Sequence, residues 1–141
     1  GRSVAYVSDA GTPLVAAPGY ALVREALAAD LPVNAAPGPS AVLAALVVSG
    51  LPTDRFLFAG FAPPATSGRE RVLRELAATP ATLVFFEAPK RSLAMIKSCV
   101  KTLGGERQAA VCRELTKKFE TVERGTLMDL AARFADQTPK G

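Results

Sequence analysis

The chain of 141 residues contains no histidine, so imidazole-based catalysis and most zinc chemistry are excluded for it. It has two cysteines, Cys99 and Cys112, without metal-ligand spacing, and no metal is expected. No apolar run reaches the length that crosses a membrane, and there is no secretory leader pattern. Reduced thiols and a cytoplasmic location are therefore expected. The sequence has no internal repeat, no heptad pattern, no G-x-G-x-x-G and no Walker A, so those phosphate sites are not indicated. The chain does not open on Met, and residues 138–141 supply no closing element; both ends read as cut.

What is present is apolar and rich in turns. Nearly half the residues are hydrophobic (49%), enough to bury a core. The 11 glycines and 11 prolines cluster between apolar runs, which marks tight loops rather than disorder. The net charge of +4 is compatible with a polyanionic partner and equally with a mildly basic surface.

The periodicity alternates strands with helices. Residues 4–7 and 33–36 read as short buried strands. Residues 20–29 read as an amphipathic helix ended by Asp30, and residues 41–49, apolar all round, as a deeply buried helix after Ser40. Strands are expected at 56–61, 82–86, 108–112 and 119–124, and helices at 69–78, 90–103 and 127–134. This order predicts an α/β fold in two lobes: 1–52 as the remainder of an N-terminal lobe with parallel pairing, and 53–141 as a C-terminal α/β lobe without its final strand.

In such sheets ligands bind beyond the carboxyl ends of strands. Four polar loops stand at such ends. Ser8-Asp9-Ala10-Gly11-Thr12-Pro13 offers a carboxylate, a hydroxyl and a glycine that permits close approach. Pro37-Gly38-Pro39-Ser40 meets a helix N-terminus, which suits an anion. Phe86-Glu87-Ala88-Pro89-Lys90-Arg91 and Arg113-Glu114-Leu115-Thr116-Lys117-Lys118 carry charges of both signs. Pattern alone serves two readings: strand-to-helix turns with solvated ion pairs, or loops converging on one ligand.

These motifs, with Pro18-Gly19-Tyr20 and Gly50-Leu51-Pro52-Thr53-Asp54-Arg55-Phe56 in the same order, resemble the ribosomal RNA small subunit methyltransferase I family of the tetrapyrrole methylase superfamily. The resemblance covers essentially the whole chain. It implies a two-lobed tetrapyrrole-methylase-like fold, truncated here at both ends, that holds S-adenosylmethionine between its lobes. It implies 2′-O-methylation of a cytidine ribose in 16S ribosomal RNA of the small subunit, by a homodimer. Asp9, Gly11, Thr12 and Ser40 would line the cofactor site from the first lobe, and Phe86, Ala110 and Thr126 from the second. Two departures stand out: Ala16-Ala17 replaces the family's usual Ser-Asp, and Lys90 replaces a frequent His. The candidate bases are Glu87, Glu114 and Lys117. Candidate RNA contacts are Lys90, Arg91, Lys117 and Lys118, with Arg69 and Arg71 as further cations. The competing readings are a methyltransferase acting on a porphyrin precursor and a non-catalytic dimerising fragment.

Overall fold

A computed structural model describes residues 1–137. Residues 138–141, expected to lack a closing element, lie outside the described part. The chain forms two compact units, Gly1–Ala41 and a second from Val42 onward.

The first unit holds one helix, α1 (Tyr20–Ala28). Gly19 enters it at φ +127, a conformation that strains any side chain. Asp30 leaves it at φ +56, while the Leu31 N–H donates back to the Ala26 carbonyl at 2.9 Å. The expected strands at 4–7 and 33–36 do not form, so the expectation of a parallel sheet in this unit is corrected. A strand exists only as one side of a ladder, and neither segment finds a backbone partner among the described residues. Val4 and Val7 accordingly stay 87% and 82% exposed.

The second unit opens on α2 (Ala41–Ser49), which matches its expected span. Its burial does not match. Val42, Leu46 and Ser49 are buried, but Leu43 and Val47 are exposed, because packing partners cover only one face of the apolar cylinder. Its end is held by Arg124, whose Nε donates to the Val48 carbonyl at 3.0 Å. A cation there also suits the negative pole of the helix.

β1 (Phe56–Phe61) pairs in parallel with β2 (Thr82–Phe86), and α3 (Thr66–Leu76) connects them. A 3-10 turn, Pro89–Arg91, then leads into α4 (Ser92–Leu103). β3 (Gln108–Arg113) and β4 (Thr121–Thr126) form an antiparallel ladder, followed by α5 (Leu127–Ala135). Thr126 starts α5 with a reciprocal box: its hydroxyl accepts from Asp129 N at 3.1 Å, and its own N–H donates to Asp129 Oδ2 at 3.2 Å. Hydrogen bonding to the carboxyl from the Thr126 side chain first, and from its backbone N–H second, holds Asp129 below its ordinary pKa of 3.8.

The core forms where α3, α4 and α5 meet. Leu73, Met95, Cys99 and Leu127 make one cluster with Ala62, and Ile96, Leu130 and Phe134 a second. Full burial of side chains such as Leu73, Leu130 and Phe134 is worth about 1.5–3 kcal/mol each. Burial pushes the Cys99 thiol up to about 11 and raises Cys112 as well, so neither is an activated thiol. A cavity of about 480 Å³ lies against Leu83 and Phe85 of β2, Ala109 and Val111 of β3, and Ile96 and Cys99 of α4. No described helix is long and apolar enough to cross a membrane.

Candidate functional site

In the first unit, the two glycine-proline loops are stapled together. Thr12 Oγ1 donates to the Pro39 carbonyl at 3.0 Å. Gly11 sits at φ +72, and a Cβ there would lie 3.7 Å from the same carbonyl. A Cβ at Gly38 would meet Thr12 Oγ1 at 3.8 Å. Both distances are ordinary van der Waals contacts, so it is the positive φ of Gly11, and not lack of space, that calls for glycine in this loop pair. Thr12 spends its proton on this staple, while Ser8 Oγ donates to the Ala10 carbonyl at 2.9 Å and shapes the turn. Asp9 between them is exposed, and its carboxylate takes no hydrogen bond from the described residues. An unspent acceptor beside a glycine turn is what a ribose hydroxyl or an amino group needs. Ser40 immediately precedes α2. The Ala16-Ala17 pair precedes Pro18, whose carbonyl accepts from the Tyr6 hydroxyl at 3.0 Å.

In the second unit, the parallel pairing puts the carboxyl ends of β1 and β2 side by side. Phe86 closes β2 there, edge-to-face with Phe58 at 4.8 Å and Phe61 at 5.7 Å between ring centroids. Glu87 follows. Its Oε1 takes the Ala88 N–H at 2.7 Å and pairs with Arg91 Nε at 2.8 Å, with little of the carboxylate exposed. Glu87 thus fastens the turn into α4 and occupies Arg91, while Lys90 stays exposed. Ala110 lies within β3 opposite Arg124, so it offers a ligand backbone and a methyl group. Thr126 spends its hydroxyl and N–H on the α5 cap.

The loop after β3 holds the remaining candidates. Glu114 Oε1, half-buried, pairs with the exposed Lys117 Nζ at 3.2 Å. Glu114 (φ +50) and Thr116 (φ +66) adopt the left-handed conformation that non-glycine residues avoid. The strain is held by a Lys117 N–H to Glu114 carbonyl bond at 3.0 Å and a Thr116 N–H to Glu120 Oε2 bond at 2.6 Å. Lys118 is exposed, with its ammonium 5.5 Å from the centre of the Phe119 ring.

Arg69 has a different position from the one its charge proposes. It is buried, and its guanidinium donates to Ser98 Oγ at 2.9 Å, the Pro64 carbonyl at 3.0 Å and Thr66 Oγ1 at 3.2 Å. It clamps the start of α3 onto α4 and is withdrawn from any polyanion, so the expectation of an RNA contact there is corrected. Arg71, two residues on, is exposed. The sequence signal for this difference is the facing Ser98, 29 residues away, which no local pattern connects to Arg69. Among the described residues no group of three or more His, Cys, Asp or Glu side chains is placed to hold a metal.

The paired strands and packed helices of the second unit define a mixed α/β protein. Residues 1–131 match the model of the Tetrapyrrole (Corrin/Porphyrin) Methylases, and the chain belongs to that family. Among curated proteins it is 56% identical to "Ribosomal RNA small subunit methyltransferase I" of Mesorhizobium japonicum, over 100% of this chain and 48% of that protein. It is 52% identical to the protein of the same name from Mycobacterium tuberculosis, over 93% of this chain and 46% of the relative. The Xylella fastidiosa relative of that name is 50% identical over 96% of this chain and 50% of its own length. The chain spans about half the length of the curated relatives it matches.

Proposed function

We propose that this chain is part of a cytoplasmic, S-adenosylmethionine-dependent methyltransferase that methylates the 2′-hydroxyl of a cytidine in 16S ribosomal RNA of the small subunit, acting as a homodimer. The names of the relatives support the ribosomal RNA substrate. The observation that carries the cofactor reading is the stapled loop pair, with the Asp9 carboxylate left unspent beside Gly11. The donor set fits the cofactor. Asp9 accepts from ribose hydroxyls, Gly11 and Gly38 leave room for a close approach, and Ser40 faces an anionic group from the start of a helix. Within the second unit, Phe86 offers a ligand an apolar ring, Ala110 its backbone, and Thr126 its carbonyl.

S-adenosylmethionine supplies a methyl group already activated by its sulfonium charge. The protein's task is then alignment, worth roughly 7–11 kcal/mol in favourable cases, and removal of the hydroxyl proton. Among Glu87, Glu114 and Lys117 we assign proton removal to Glu114. Its ion pair with the exposed Lys117 is partly open to solvent and is broken at a cost of about 0–1 kcal/mol, whereas Glu87 is enclosed and held on two sides. In the full-length protein, Glu114→Gln is expected to slow single-turnover methylation about 100-fold or more, the usual weight of a general base, with substrate binding retained. An equal rate for Glu114→Gln and wild type removes the assignment.

Lys90, Lys117 and Lys118 supply phosphate contacts, and Arg91 supports them from its pair with Glu87. Replacing Lys117 and Lys118 by Ala is expected to lower the slope of log K against log salt by about 1 per residue. An unchanged slope contradicts their role.

A further inference from the structure

Phe119 is 71% exposed, on a loop closed by its own hydrogen bonds. Residues 114–120 join the last rung of the β3–β4 ladder, Arg113 opposite Thr121, without any glycine. Two residues sit in the left-handed region, and three hydrogen bonds close the loop on itself, including Glu120 N–H to the Lys117 carbonyl at 3.2 Å. Strain kept in an ordered loop marks a surface whose shape matters. What the loop presents to solvent is a phenyl ring with the Lys118 ammonium over one face, leaving the other face open, and the exposed Lys117, whose pair with Glu114 lies on the same loop. The core of the unit is completed without Phe119, which belongs to neither buried cluster.

A ring and adjacent cations on one rigid projection are the two parts of single-strand recognition: a face for a base and charges for its phosphates. A protein partner is a poorer match, since lysine is depleted at the centre of protein interfaces. A double-stranded RNA is also poorer, since its stacked bases offer no free face. We propose that Phe119 is a stacking platform for an unpaired base of the RNA substrate, with Lys117 and Lys118 gripping the flanking phosphates. This rests on the RNA-methylating reading and adds to it an aromatic contact outside the expected set of cations.

The test is made in the full-length protein, with binding read by anisotropy of a labelled, unstructured pyrimidine RNA oligonucleotide. Phe119→Ala is expected to weaken binding roughly 5- to 150-fold with the salt slope unchanged, because a stacked base is lost and no phosphate contact is. Phe119→Leu keeps the apolar bulk and loses the π face, and is expected to fall nearly as far. Phe119→Trp is expected to bind as well as wild type and to have its indole fluorescence quenched by the RNA. Wild-type affinity in Phe119→Ala, alongside weakened binding in Lys117→Ala, overturns the stacking role and leaves the RNA reading standing. A loss that tracks a change in oligomeric mass by light scattering makes Phe119 a protein contact and also overturns it. Failure of the wild-type protein to bind RNA overturns both.

Discussion

Residues 1–41 contain no buried side chain, whereas the unit from Val42 onward buries Leu73, Leu130 and Phe134 to 1% exposure or less. Both stretches alternate apolar runs with glycine-proline turns. The difference is partnership. In the second unit β1 finds β2, β3 finds β4, and three helices share a core. In the first, α1 has no buried residue, and the apolar runs at 4–7 and 33–36 have no ladder to join. Local pattern nominates an element, and tertiary burial decides whether it forms. The loops of the first unit are nonetheless specifically shaped, by Thr12 and Tyr6 donating to carbonyls 27 and 12 residues away.

The contrast is broken most directly by truncation in the core. Leu130→Ala or Phe134→Ala is expected to cost about 3–5 kcal/mol, measured by urea denaturation, through the cavity each leaves. Leu22→Ala in α1, more than half exposed, is expected to change stability by no more than about 0.5 kcal/mol. Comparable losses at Leu22 and Leu130 would refute the difference between the units.

Next in size is the Arg69 clamp. Arg69→Ala leaves Ser98 Oγ, Thr66 Oγ1 and the Pro64 carbonyl without their donor, and is expected to cost about 2–3 kcal/mol. Arg71→Ala is expected to cost almost nothing in stability. Equal thermal midpoints for the two variants would show that the clamp does not hold α3.

A smaller effect is read by pH. Glu70 is held below its ordinary 4.5, first by its hydrogen bond from Lys101 and then by the charges of Lys101 and Arg74; Asp129 lies below 3.8. Carboxyls depressed in the folded state contribute stability above their unfolded values and lose it as pH falls through the folded ones. The melting temperature is therefore expected to fall on acidification from about pH 4.5 downward, and less steeply in Glu70→Gln and Asp129→Asn. Parallel pH profiles for all three proteins would contradict this. The smallest signal is amide exchange: the β3–β4 ladder is expected to be protected, while residues 4–7 and 33–36 exchange freely.

Much of the second unit was legible because its elements carry their own punctuation. β1 and β2 end where glycine, proline and charge interrupt aromatic runs, and their spans agree with expectation. α3 begins three residues earlier than the expected Arg69. Gly68 reads as a breaker, yet it fits inside the helix because a Cβ there would come to 3.2 Å from Pro63. The helix expected from Lys90 begins at Ser92 after a 3-10 turn, where Glu87 pairs back to Arg91. The candidate site was legible as loops and illegible as commitments. That Thr12 and Thr126 spend their hydroxyls internally while Asp9 keeps its acceptor free depends on contacts no motif encodes.

The most direct test supplies labelled S-adenosylmethionine to the full-length protein, with small ribosomal subunits or a porphyrin precursor as acceptor, followed by nucleoside analysis. Label is expected in 2′-O-methylcytidine of 16S ribosomal RNA, and is expected to be lost in Asp9→Ala. Label in the porphyrin precursor, on a nucleobase, or undiminished in Asp9→Ala would contradict the proposed function.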